Sequence, residues 1–102
     1  MGEVGRIYTV GQWQAKPGKE KEFIQAWQKY ASWTAQNFKA SGAHLLQDAE
    51  DPTRFVSYGR WDSQSSIDDW RSRPEFATFI KLAKELCDLV EPHTFKVAAE
   101  AG

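Results

Sequence analysis

The sequence predicts an α+β domain in which strands and helices follow the order β-α-β-β-α-β, and three observations lead to it. Two long stretches carry apolar residues at alternating spacings of three and four, as a helix with one buried face requires. Between and around them lie short runs rich in aromatic and β-branched residues, the composition of strands. Gly, Pro and Asp cluster at the junctions, where the chain must turn. With 102 residues there is room for one core and not two, so the prediction is a single domain over 1–102, its core spanning about 6–98.

The first strand is read over Arg6 to Trp13 and is broken by Lys16-Pro17-Gly18-Lys19. A helix starts at Glu20, with Phe23, Trp27, Tyr30 and Thr34 on one stripe and Ile24, Ala31 and Phe38 beside it. Trp33 falls off that stripe. Ser41-Gly42 is read as the helix end, because glycine takes the left-handed cap conformation readily. Ala43 to Asp48 is the second strand, Glu50 to Thr53 a turn, and Arg54 to Trp61 the third strand. Asp62 or Ser63 then caps a short helix with Ile67 and Trp70 inward. Pro74 starts the next, since proline is well tolerated at a first helical position. Its stripe runs from Phe76 through Phe79, Ile80, Ala83, Leu86 and Cys87 to Val90, and Glu91-Pro92 separates it from a last strand, His93 to Ala98.

This order is the split βαβ arrangement of ferredoxin-like domains, a four-stranded antiparallel sheet with helices on one face. Such a sheet has one face left over, which should be polar in a monomer. Here both faces are apolar: Phe55 and Trp61 oppose Val56 and Tyr58 on the third strand, and Ile7 and Trp13 oppose Tyr8 and Val10 on the first. A second copy covering that face with its own is the simplest remedy, so a homodimer is expected.

Composition narrows the function classes. The formal net charge of −1 offers no attraction to nucleic acid or to anionic membranes. No apolar run approaches a membrane span and the N-terminus has no signal-peptide plan, so a cytoplasmic protein is expected. The single cysteine, Cys87, excludes an internal disulfide and a multi-thiolate metal site, and its helical context suits a buried, inert thiol. The aromatic content is the unusual feature, with five Trp in so small a domain: large rings can compensate for a small core, and some are expected to line a pocket.

Several segments resemble the antibiotic biosynthesis monooxygenase (ABM) domains. Pro17-Gly18-Lys19-Glu20, followed by Phe23 and Trp27, opens a helix in their manner. Asp51-Pro52-Thr53-Arg54-Phe55-Val56, then Trp61-Asp62-Ser63, Trp70 and Phe76, resembles their Asp-Pro, strand, Trp-x-Ser and helix core. The resemblance extends from Arg6 to about Val97. It implies a dimeric α+β barrel made from paired ferredoxin-like sheets but fixes no single activity: some members oxidise quinols or anthrones with oxygen and no cofactor, and many have no known reaction. Some relatives degrade haem and resemble one another in a strand Asn, a Trp and a helix His. Trp70 matches the Trp, but Gly11 and Ile80 stand at the other two positions, and an aliphatic side chain cannot ligate iron. Haem turnover is not expected, nor any other cofactor.

The candidate chemistry is sparse. No phosphate loop, catalytic triad order or metal-spaced cluster is present in the sequence. His44 and His93, on predicted strands, are the natural acid-base groups, and Tyr58 is a third catalytic candidate. Trp27, Tyr30 and Trp70 are candidate walls for a small aromatic substrate, with Arg60 as a cation for its oxyanion. The leading expectation is a monooxygenase acting on, or binding, a small quinone-like molecule. An isomerase or lyase on the same scaffold and a non-catalytic dimeric ligand-binding or stress-response module are the alternatives.

Overall fold

The computed structural model describes residues 2–102, apart from the side chain of Ser41. Its elements are β1 (Ile7–Ala15), α1 (Glu20–Asn37), β2 (Ala40–Gln47), β3 (Arg54–Trp61), α2 (Gln64–Ser72), α3 (Pro74–Leu86) and β4 (Cys87–Lys96). The strands form one antiparallel sheet in the order β2-β3-β1-β4, the ferredoxin-like topology predicted from the element order.

Local chemistry sets most boundaries. Glu20 and Glu22 sit in the first turn of α1, where the helix dipole favours negative charge. Ser63 accepts the Ser66 amide and so caps α2, and Pro74 is the first residue of α3. The Asp51 carboxylate accepts from the Thr53 hydroxyl at 2.7 Å and its amide at 3.1 Å, which closes the turn before β3. These bonds hold its pKa below the ordinary carboxylate value.

Two boundaries differ from the sequence reading. The helix before β2 stops at Asn37, and Phe38 is already extended. Gly42 uses its positive φ of 86° inside β2, where the register slips by one residue between Ala40 and Ala43. The glycine therefore serves a β-bulge, which asks for the same conformation as a helix cap. The second difference lies at the last strand. It begins at Cys87, six residues before the predicted start, so Cys87 and Val90 pair with β1 and are not the end of the helical stripe. Pro92 sits inside this strand, which is possible because β4 is at the sheet edge and needs hydrogen bonds on one side only.

Register fixes what each sheet face carries. Ile7, Thr9, Gly11, Trp13 and Ala15 of β1 lie beside Phe55, Ser57, Gly59 and Trp61 of β3, facing the helices. Trp13, Ala15, Phe23, Phe55, Phe79, Ala83, Leu86 and Cys87 form the buried core there. The opposite face carries Tyr8, Val10, Leu46, Val56, Tyr58, Leu89 and Phe95, and none of the helices among the described residues covers it. Leu46 is 51% exposed and Phe95 50%, so this face is an open apolar surface.

Candidate functional site: a cavity between sheet and helices

A cavity of about 90 Å³ lies between the inner face of the sheet and the three helices. Its floor is made by small residues, Gly11 and Gly59 among them, and its walls by aromatic rings: Trp13, Trp27, Tyr30, Trp61, Trp70, Phe76 and Phe79. The floor follows from the sequence of β3. Phe55, Ser57, Gly59 and Trp61 point the same way, so two small residues sit between two large ones and leave a hollow.

The rings are fixed by stacking and by hydroxyl groups. Tyr30 is the hub: its ring stacks on Phe79 at 4.6 Å and 7° between planes, and on Trp70 at 5.5 Å and 27°. Trp33, off the main stripe of α1, also stacks on Tyr30, at 5.8 Å and 14° between planes. Three indole N–H groups are each satisfied by a hydroxyl. Trp13 donates to Ser57 at 3.0 Å, Trp61 to Thr9 at 3.0 Å and Trp70 to Thr34 at 2.8 Å. Thr34 in turn donates to the Tyr30 main-chain carbonyl at 3.0 Å.

The Tyr30 hydroxyl is buried without a formed hydrogen bond. Burial raises its pKa well above that of a free phenol, and Glu75 adds to the rise; the nearby Trp70 and Thr34 groups offset this only in part, being bonded to one another. Tyr30 therefore stays protonated and is no base. Arg71 is the only charged side chain among the described residues that line the cavity, and it supplies a cation at the wall.

The structure brings the predicted binding residues Trp27, Tyr30 and Trp70 together on the cavity wall. Tyr58 and His93 border it from the sheet as well, but alternation along β3 and β4 turns their side chains to the open face. There His93 packs near Phe95, and His44 stacks on Tyr58 at 5.3 Å. Neither His44 nor Arg60 lines the cavity. Arg60 lies on the open face beside Tyr8 and forms an ion pair with Glu3 at 3.7 Å. An acid-base role for these imidazoles would need them inside, and their strand parity directs them away. Sequence reasoning missed Thr9, Thr34, Ser57 and Arg71. The legible signal was the small-residue pair inside an aromatic strand, which marks a hollow and not a filled core.

Among the described residues no three His, Cys, Asp or Glu side chains converge as a metal-binding group, and no helix is long and apolar enough to cross a membrane. Cys87 is buried at the base of the core, where desolvation, with Asp88 adding, pushes its thiol up to about 11.

Fold and cavity together define a ferredoxin-like α+β domain that encloses an aromatic-walled site. The chain belongs to the antibiotic biosynthesis monooxygenase family, whose family model matches residues 6–82. Solved structures share the fold at low identity. A variant of SnoaB, a cofactor-independent oxygenase from Streptomyces nogalater, is 15% identical with a TM-score of 0.84, covering 95% of this chain and 97% of that one. A conserved protein from Methanosarcina mazei is 21% identical with a TM-score of 0.82, over 92% and 94% of the two chains. A Nitrosomonas europaea protein named for the same family is 16% identical with a TM-score of 0.81, over 100% and 99%. No curated protein matches the sequence significantly.

Proposed function

We propose that this protein is a cofactor-independent monooxygenase that binds a small quinol-type molecule in the cavity and works as a homodimer. The observation that carries the reading is the cavity itself: aromatic walls, hydroxyl donors and one cation, with no carboxylate or imidazole side chain turned inward. Family membership and the fold shared with SnoaB support it.

In this reading the bound quinol provides the electrons. Loss of a proton from its hydroxyl gives an anion, which reduces dioxygen and combines with it at a ring carbon. The peroxide then loses water, so quinol and dioxygen yield a hydroxyquinone and one water. One oxygen atom enters the ring, the other leaves as water, and the four electrons come from the substrate. The protein's task is to lower the cost of the anion and exclude water. Arg71 and hydroxyl donors serve the first, and the indole walls the second.

The open sheet face, with Leu46, Val56, Tyr58 and Phe95 exposed, is proposed to pair with the same face of a second copy. His44, His93 and Arg60 would then belong to the interface. Oxygen uptake and product mass with a panel of quinols and anthrones test the catalytic reading. Absence of uptake across the panel, with binding retained, would leave a ligand-binding module.

A further inference from the structure

The cavity floor holds a pattern that the proposed function does not use. Thr9 pairs with Gly59 and Gly11 with Ser57, so two glycines and two hydroxyl residues alternate on the inner face of β1 and β3. The two glycines differ. A Cβ at Gly11 would collide with the Trp13 ring, so that space is already filled. A Cβ at Gly59 would meet Ala43 Cβ at 3.3 Å, Thr9 Oγ1 at 3.6 Å and the Gly42 carbonyl at 3.7 Å, so no ring occupies its place. Bare sheet backbone is exposed to the cavity there, as is common where a ligand approaches the main chain closely.

The two hydroxyls border this bare spot on adjacent sides, Thr9 across the strand pair and Ser57 two residues back along β3. Each accepts an indole N–H, Thr9 from Trp61 and Ser57 from Trp13, and each keeps its own hydrogen. Among the described residues neither hydroxyl donates to a protein acceptor, whereas Thr34 donates to Tyr30. The indole holds one lone pair of each oxygen, so the O–H is turned elsewhere. Thr9 and Ser57 are diagonal neighbours of the strand pair, about 7 Å apart from residue to residue, and the line between them passes beside Gly11 as well as Gly59.

We propose that this floor seats a single-ring molecule carrying a hydroxyl or ether oxygen, such as a phenol or a quinol, over Gly59 with one oxygen accepting from Thr9 or Ser57. The inference rests on the quinol reading and specifies its substrate class. Size supports one ring over three: a cavity of about 90 Å³ is far below the 300–1,000 Å³ of pockets for drug-sized ligands. An apolar cavity that holds one benzene measures about 150 Å³, so one ring is the upper limit here and enters only as the walls yield around it. Charge supports an anion or a neutral oxygen acceptor over a cation, since Arg71 is the only charged group on the wall among the described residues.

Binding to the full chain would be measured by tryptophan fluorescence and calorimetry, with 4-methoxyphenol, toluene and anthrone as probes. The seat requires 4-methoxyphenol to bind at least about 10-fold more tightly than toluene, and anthrone to bind more weakly than either. Gly59→Ala adds one methyl to the floor against neighbours that need yield only a few tenths of an ångström. It should weaken 4-methoxyphenol by about 10-fold or more while the melting temperature stays within a few degrees. Equal binding of toluene, preferred binding of anthrone, or unchanged affinity in folded Gly59→Ala would overturn the seat. The probe series on the unaltered protein decides the matter even where the variant folds poorly. Binding of 4-methoxyphenol without oxygen uptake on methylhydroquinone would sink the oxygenase reading and leave the seat standing. Oxygen uptake with anthrone, unaffected by Gly59→Ala, would do the reverse.

Discussion

The indole of Trp13 lies in the space that a side chain at Gly11 would need, with its N–H held by Ser57 on the neighbouring strand. Gly11 is thus part of a core contact and not a flexible hinge. Its Cβ would meet the ring atoms of Trp13, which also touches Phe23 and Phe79. Gly11→Ala should destabilise the fold by about 1–3 kcal/mol, the ordinary cost of overpacking, as read from urea unfolding. An unchanged midpoint would mean that the Trp13 ring has somewhere else to go.

Tyr30→Phe should behave in the opposite sense. The phenol oxygen is buried with no hydrogen bond formed, and phenylalanine keeps the stacking on Phe79, Trp70 and Trp33. Removing an unsatisfied polar atom should leave stability unchanged or raise it by about 1 kcal/mol. A clear loss in thermal unfolding would reveal a bond from Tyr30 to Thr34 or Trp70 that the geometry does not contain.

Alkaline stability follows from Cys87. Its folded pKa is raised from 9.0 to about 11, so its contribution is present below the unfolded value and is lost as pH climbs between about 9 and 11. Tyr30, raised from 10.0, adds to the decline from about pH 10 upward. Urea midpoints across this range should fall more gently in Cys87→Ala than in the parent. In the folded protein the thiol should also resist iodoacetamide at pH 8, and labelling as fast as in urea would contradict its burial.

The open face gives a prediction about assembly. Leu46→Asp places a charge among Val56, Tyr58 and their neighbours without touching the core. Sedimentation should show the parent as a dimer and the variant as a folded monomer at micromolar concentration. A parent that is already monomeric would remove the case for paired faces.

For the reaction, the rate should rise with pH through the substrate's own hydroxyl pKa and move with it along a series of substituted quinols. The His44→Ala, His93→Ala double variant should keep its cavity affinity, since both imidazoles lie on the other side of the sheet. A pH limb that disappears in the double variant would return the base to histidine.

Much of this was legible in the chain. The inward set of α1, with Phe23, Trp27, Tyr30 and Thr34, follows from spacing, and β3 from its alternation, because both patterns are periodic over many residues. The histidines illustrate the limit. Assigning His44 and His93 to strands was correct, but which side of the sheet holds the cavity depends on where helices pack, and the sequence of a sheet apolar on both faces does not say. The helix ends failed for a related reason. Gly42 and Cys87 each suit two local conformations, and only pairing with β3 and β1 chooses between them.

The two outer strands carry a consequence for how copies can meet. Pro92 removes one donor from the rim at β4, and the irregular step at Gly42 bends the rim at β2. A neighbouring chain therefore finds no unbroken rail of donors and acceptors along which to add itself laterally. Pairing through the broad apolar surface, as proposed, would instead be self-complementary and end after one partner. The same two local irregularities that obscured the strand limits thus favour a closed pair over an open-ended fibre.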